Sequence, residues 1–195
     1  MLTLPDLNMP HPSESAAPPD AARLCLDCGL CCNGVLFDRV YLQRGDIPQA
    51  LTSQGLRIKK GQWFNQPCTA LCGTLCRLYH NRPTRCRLFE CRQFQQVAAG
   101  EIRYESAADR IRQVKMQVTA LEHQLTGCGG GNIRKPLAQR YATAVETSRS
   151  RTGTPGLTAA MEQLQAELDA HFRLGWCGPS PGLETSRPRR GEGAG

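Results

Sequence analysis

The sequence predicts a small α+β protein that is largely helical, in which an irregular cysteine-rich domain is followed by a helical C-terminal region. Three observations lead to this prediction. The chain has 195 residues but is only 40% hydrophobic and 6% aromatic, which suits one domain with a thin core. Nine of its 11 cysteines lie between residues 25 and 91. Beyond residue 104, apolar residues recur at helical spacing.

We divide the chain into four parts. Five of the first 19 residues are prolines, and the end of the chain is rich in glycine, proline and arginine. Neither end can bury enough apolar surface to offset the entropy of the chain. The predicted parts are a disordered N-terminal tail at 1–20, a cysteine-rich domain at 21–95, a helical region at 96–176 and a disordered C-terminal tail at 177–195.

The first half of the chain predicts short elements. The stretch "VLFDRVYL" at 35–42 is β-branched and aromatic, which favours a strand. In "GDIPQALTSQG", Asp46 is expected to be an N-cap, Pro48 to lie in the first helical turn and Gly55 to end the helix. Turn-forming residues and thiols between 68 and 91 predict irregular structure.

The second half predicts three helices. The segment "ESAADRIRQVKMQVTALEHQLTG" should form the first, with Gly127 as its C-cap. Pro136 opens "PLAQRYATAVETS", and "LTAAMEQLQAELDAHFRL" follows Gly156. The apolar stripe of the first helix consists of Ala107, Ile111, Val114, Val118, Leu121 and Leu125, and that of the third of Leu157, Met161, Leu164, Leu168 and Phe172. These stripes predict packing within the protein or against a helix of a protein partner.

The start of the chain, "MLTLPDLNMPHPSES", has no basic region followed by an apolar stretch of signal-peptide length. No run of about 18 apolar residues occurs, so we expect no membrane partner. A cytoplasmic location follows as the default, and thiols are kept reduced there. Dense cysteine spacing therefore indicates metal or redox chemistry more than a disulfide framework.

The stretch "CLDCG" has the form of a zinc knuckle. Cys25 and Cys28 are three residues apart, and Gly29 can adopt the left-handed conformation that closes a tight turn. Knuckles normally come in pairs, so the other ligands are expected between 68 and 91. Cys31 and Cys32 are adjacent, and neighbouring side chains on an extended chain point to opposite sides.

One tetrahedral site would leave thiols over. Two mononuclear sites, one multinuclear zinc site with bridging thiolates, and an iron–sulfur cluster with spare cysteines all stay open, because thiolate suits both zinc and iron. The cofactor is therefore zinc or iron, and the domain at 21–95 is expected to be stabilised by it. The predicted metal ligands are Cys25, Cys28, Cys31, Cys32, Cys68, Cys76, Cys86 and Cys91.

The remaining candidates give weaker signals. Cys72 could be a spare ligand or a packed thiol, and Cys128 and Cys177 stand apart from the others. His80 is the histidine nearest the thiols. No HExxH pair, nucleophile elbow or dinucleotide fingerprint is present, so catalytic residues stay unknown and an enzyme would depend on the metal site itself.

The net charge is +7, and arginines concentrate among the later cysteines. They could form a nucleic-acid surface, or they could compensate a four-thiolate site whose net charge is about −2. We favour the internal role, because few aromatic residues are available to stack on bases. The arginines are Arg77, Arg82, Arg85, Arg87 and Arg92.

"CLDCGLCC", "PC" and "CRLYHNRPTRCRLFEC" together resemble the YkgJ-like cysteine-cluster family over about residues 25–94. Its signature is CxxCxxCC followed by a cysteine, a tyrosine, an arginine–proline pair and further cysteines. Tyr79, Arg82 and Pro83 match that order, whereas Cys72 is an insertion. The resemblance implies a zinc- or iron-chelating domain. Most members have no assigned reaction, and a distant member is a flagellin lysine methylase, so an enzymatic role stays open.

Overall fold

The structure, a computed structural model, describes residues 19–148 and 155–174. It is 55% helical and has two small two-stranded sheets, which confirms the predicted α+β, largely helical class. Most of the predicted N-terminal tail and all of the predicted C-terminal tail, which includes Cys177, lie outside the described residues.

The elements follow one another along the chain, and most of those before residue 100 are short. They are α1 (Pro19–Cys28), β1 (Arg39–Tyr41), α2 (Pro48–Ser53), β2 (Trp63–Asn65), β3 (Leu71–Cys72), β4 (Leu75–Cys76), a 3-10 turn (Tyr79–Asn81), α3 (Thr84–Leu88), α4 (Arg92–Ala98), α5 (Tyr104–Gly127), α6 (Leu137–Ser148) and α7 (Pro155–His171). β1 pairs antiparallel with β2, and β3 pairs antiparallel with β4. The region expected to be irregular, 68–91, contains only the short elements from β3 to α3.

The long helices form the larger of two hydrophobic cores, which we call the helical core. α5 packs against α7, α1 and α6, and α4 packs against α1. All six stripe residues of α5 are buried, and so are the four in α7 and Phe172 directly after it, as their spacing predicts. α1 also contributes Ala21 and Leu24, each at most 2% exposed, so the start of the cysteine-rich region is built into this core.

The smaller core lies beneath the first sheet, and we call it the sheet core. Its buried residues are Val40, Leu51, Leu56, Phe64 and Ala70. Val40 lies directly opposite Phe64 in the β1–β2 ladder, so both side chains point to the same face. Five side chains make a small core, and this part of the chain needs other sources of stability.

Two sequence predictions in these elements require correction, and a third is confirmed. The strand expected over 35–42 is shorter, because Val35 and Leu36 turn into the helical core and leave only Arg39–Tyr41 extended. Gly127 is the last residue of α5 and not its cap, which is Cys128. Gly55, with φ of +95°, follows the end of α2 as predicted.

Asp46 is not the N-cap of α2. Ile47 occupies that position without a side-chain hydrogen bond. The carboxylate of Asp46 lies one residue too early and instead accepts hydrogen bonds of 2.8 Å from the backbone N–H groups of Gln43 and Thr84 and from the Thr84 hydroxyl. It thereby ties the start of α2 to the first turn of α3.

Candidate metal centre

Cys25 and Cys28 lie in the last turn of α1, which corrects the prediction of a tight knuckle turn. The helix forms because Ala21, Leu24 and Cys28 recur at helical spacing and are all buried against the helical core. Residues three apart on a helix are neighbours on its surface, so the two thiols still lie side by side.

Gly29 ends α1 with φ of +72°, as the sequence predicts. Its carbonyl accepts hydrogen bonds of 3.0 Å from the N–H groups of Cys32 and Asn33. The backbone of Thr74 also lies close to Gly29, since a Cβ on Gly29 would be 3.3 Å from the Thr74 Cα. Cys31 and Cys32 therefore lie in a hydrogen-bonded turn that directly follows α1.

The eight predicted ligands fall into two neighbouring groups. Burial is the largest cause of the raised pKa of Cys28 and of Cys31, followed among the thiols by Cys91 for Cys28 and by Cys28 and Cys91 for Cys31, whose pKa the adjacent Cys32 also raises. For Cys32 and Cys86 burial again comes first, followed by thiols among Cys32, Cys68 and Cys76, and Cys25 also raises the pKa of Cys32. Group I is Cys25, Cys28, Cys31 and Cys91; group II is Cys32, Cys68, Cys76 and Cys86.

Group I is assembled by helix packing. α1 supplies two of its thiols, and the turn after Gly29 supplies Cys31. Cys91 is the residue that precedes α4, and α4 packs against α1. Cys28, Cys31 and Cys91 all contact the helical core. A thiol from more than 60 residues later in the chain thus joins the CxxCxxC segment.

Group II is assembled by backbone pairing. The N–H of Cys68 donates a 2.8 Å hydrogen bond to the carbonyl of Cys32. Cys76 is in β4 and pairs with Leu71 of β3, and Leu71 follows Cys68 by three residues. Cys86 lies in α3, and it packs with Cys68 and Cys76 against the sheet core.

Burial makes the thiolate form of these cysteines unfavourable. It raises the pKa of Cys28, Cys32 and Cys86 to about 12, and partial burial raises that of Cys25 to about 11 although the residue is exposed at its surface. The pKa of Cys31 rises well above its usual range for the same reason. A cation placed among these sulfurs would reverse this, because metal binding deprotonates a thiol outright.

The donor set fits zinc or iron, since both are bound by clustered thiolates. Within residues 19–148 and 155–174, no three Cys, His, Asp or Glu side chains are arranged closely enough to hold an ion as they stand.

Arg82 lies near both groups. After burial and neighbouring thiols, its guanidinium is what lowers the pKa of Cys25, Cys32 and Cys86. Its Nε donates a 2.9 Å hydrogen bond to the carbonyl of Tyr79, and its guanidinium carbon lies 4.0 Å from the centre of the Tyr79 ring. The tyrosine thereby fixes a positive charge beside the sulfurs.

Two other arginines of the cluster also bond to the chain itself. Arg77 donates to the carbonyl of Thr69 over 2.6 Å, and Arg92 donates to that of Ala170. Arg85 and Arg87 are exposed on α3. Burial raises the pKa of Cys68 and Arg77 acts to lower it, which agrees with the internal role that the sequence favours for Arg77 and Arg82, whereas Arg92 bonds to the helical core side of the chain.

The weaker candidates belong to neither of the two groups. Cys72 is exposed in β3, and Cys128 packs against the helical core at the end of α5. His80 is exposed and contacts the edge of the Tyr79 ring. In the part of the chain that the structure describes, no helix has the length and apolar character required to cross a membrane.

A family model matches residues 24–128, which is more than half of the chain. It is described as "CxxCxxCC: Putative zinc- or iron-chelating domain", and it extends beyond the 25–94 segment on which the resemblance was recognised. Comparisons with curated proteins and with solved structures gave no match. The family description supports metal binding in general, and the chain belongs to the CxxCxxCC family.

Proposed function

We propose that this protein chelates zinc or iron through its clustered cysteine thiolates, and that the ion stabilises the fold of the cysteine-rich region. The observation that carries the proposal is that helix packing and backbone pairing bring predicted ligands from distant segments close to one another: Cys91 precedes α4, which packs on α1, and the N–H of Cys68 bonds to the carbonyl of Cys32. Cysteines that were merely packed hydrophobic residues would have no reason to gather in this way.

The stability of the cysteine-rich region supports the same proposal. The sheet core has five buried hydrophobic residues, and the strands around it have two or three residues each. Metal binding can contribute about 10 kcal/mol or more to the folding of a small domain. We place the protein in the cytoplasm, where reducing conditions keep thiols available for metal.

Removal and return of the metal tests this proposal. The full chain, kept reduced, is stripped with a chelator and titrated with zinc or with ferrous iron while circular dichroism and the thermal midpoint are recorded. We expect the metal to raise the midpoint and to protect cysteines from alkylation. Cys28→Ser should lose most of this gain, whereas the exposed Cys72→Ser should keep it. An unchanged midpoint and alkylation rate on metal addition would contradict the proposal.

One observation favours a second candidate function, a metal- or redox-dependent enzyme with an open coordination position. Cys25 is exposed, whereas the other seven predicted ligands are buried or half-buried. A catalytic site keeps one position for water or substrate, whereas a structural site is closed by four protein ligands. Rapid alkylation of Cys25 in the metal-loaded protein would support this candidate, and complete protection would count against it.

We do not propose nucleic acid as a partner. Arg77, Arg82 and Arg92 donate to carbonyls of this chain, which leaves fewer guanidinium groups to bind phosphates. A protein that binds phosphates loses affinity steeply as salt rises, so a titration at two ionic strengths would reveal such binding.

A further inference from the structure

We infer that the eight cysteines form two separate sites, each of which binds one metal ion through four thiolates. Group I (Cys25, Cys28, Cys31 and Cys91) makes one site, and group II (Cys32, Cys68, Cys76 and Cys86) makes the other. This inference rests on the proposed function and adds the number of ions and the ligands of each.

The division begins at Cys31 and Cys32. These neighbours leave the same turn in different directions, because Cys31 packs against the helical core while the carbonyl of Cys32 bonds to the N–H of Cys68. Adjacent residues in a helix-like turn such as this one project their side chains about 100° apart, so one small tetrahedral ion rarely binds both sulfurs. The adjacent pair therefore gives one ligand to each site.

Each group also lies against its own core. Group I contacts the helical core through Cys28, Cys31 and Cys91. Group II contacts the sheet core through the three thiols that follow Cys32, and none of these belongs to the helical core. One ion would join α1 to the start of α4, and the other would join the turn after α1 to β4 and α3.

Each group has a positively charged side chain of its own nearby, and a third such side chain lies near both. Four thiolates around one divalent ion carry a net charge of about −2, which nearby cations stabilise. The Lys115 ammonium donates to the carbonyl of Asp27, beside group I, over 3.1 Å. Arg77 donates to the carbonyl of Thr69, beside Cys68 of group II. Arg82, held against Tyr79, lies near both groups.

The metal content of matched variants tests the inference. The full-length protein is loaded with zinc under reducing conditions, and zinc per chain is measured after gel filtration. We expect two zinc ions in the wild type, one in Cys91→Ser, one in Cys76→Ser and none in the double variant. Cys72→Ser, a cysteine outside both groups, should keep two.

A second measurement on the wild type does not depend on the folding of variants. X-ray absorption at the zinc edge should show four sulfurs at about 2.3 Å and no zinc–zinc scattering. One zinc per chain, or metal–metal scattering from a bridged cluster, would overturn the two-site inference while leaving metal chelation intact. Failure of the wild type to retain any metal would instead overturn the proposed function.

Confirmation would also decide between the two candidate functions. Four thiolates close the coordination shell of each ion, which leaves no position for water or substrate. Two sites with four sulfurs each would therefore assign the ions a structural role, despite the exposure of Cys25.

Discussion

Replacing Gly34 with alanine should destabilise the protein more than the same replacement at Gly45. Both glycines have a positive φ, +86° and +95° respectively. A Cβ at Gly34 would lie 3.0 Å from the Cα of Pro136 and 3.3 Å from the Cδ of Pro67, whereas at Gly45 nothing lies within 4 Å. Gly45→Ala therefore measures backbone strain alone, and Gly34→Ala measures strain together with a steric clash.

The expected magnitudes follow from these contacts. Forcing an alanine into the left-handed conformation costs about 1–2 kcal/mol at either position. The clash at Gly34 involves backbone and ring atoms that cannot rotate away, and overpacking of this kind costs about 1–3 kcal/mol more. We expect a loss of about 2–5 kcal/mol for Gly34→Ala and of about 1–2 kcal/mol for Gly45→Ala.

Urea denaturation of the metal-loaded variants, followed by circular dichroism, measures both values. Gly34 also lies two residues after Cys32, and Pro67 precedes Cys68. Separation of these segments should weaken metal binding by group II as well, which a competition titration with a chromophoric chelator would detect. Equal losses of stability in the two variants would refute the account of how this junction is packed.

Three further variants, two of them with a matched control, test other parts of the structure. Leu121→Ala in α5, at a residue 1% exposed, should cost about 2–5 kcal/mol in thermal or urea unfolding. Met116→Ala on the exposed face of the same helix should stay within about 0.5 kcal/mol. Arg82→Gln should weaken metal binding in a chelator competition, and the exposed Arg85→Gln should not. Asp46→Ala should lower stability by about 1 kcal/mol near neutral pH, since the carboxylate bonds to the first turn of α3. Partial burial acts to raise the pKa of Asp46, but its hydrogen bonds lower it overall, so the difference from wild type should shrink as pH falls below about 4.

The sequence predicts the long helices well because their burial is local. Each buried residue of α5 and α7 is three or four positions from the next, so the pattern alone identifies the packed face. The sequence does not predict α1, because the cysteine spacing indicates a turn. Besides Cys28, only Ala21 and Leu24 mark the buried face of this helix. The partner of Asp46 is 38 residues away, which no local capping pattern can reveal.

The sequence likewise predicts only part of the candidate site. The adjacency of Cys31 and Cys32 predicts opposite side-chain directions only on an extended chain, whereas the structure places the pair in a turn that begins at Gly29. The sequence could not show that Cys91 lies near the CxxCxxC segment, because this proximity depends on the packing of α4 on α1. Tyr79, three residues earlier, fixes the position of Arg82, and the stretch "YHNRP" contains both residues of this contact.

The most direct test of the central claim is the metal content of the full-length protein, purified anaerobically without added metal. Zinc, iron and acid-labile sulfide per chain are measured together with a visible spectrum. We predict bound zinc or iron in stoichiometric amounts, with two ions per chain if both groups are filled. A folded, thermally stable protein that contains neither metal and has all of its cysteines free to react would contradict the claim.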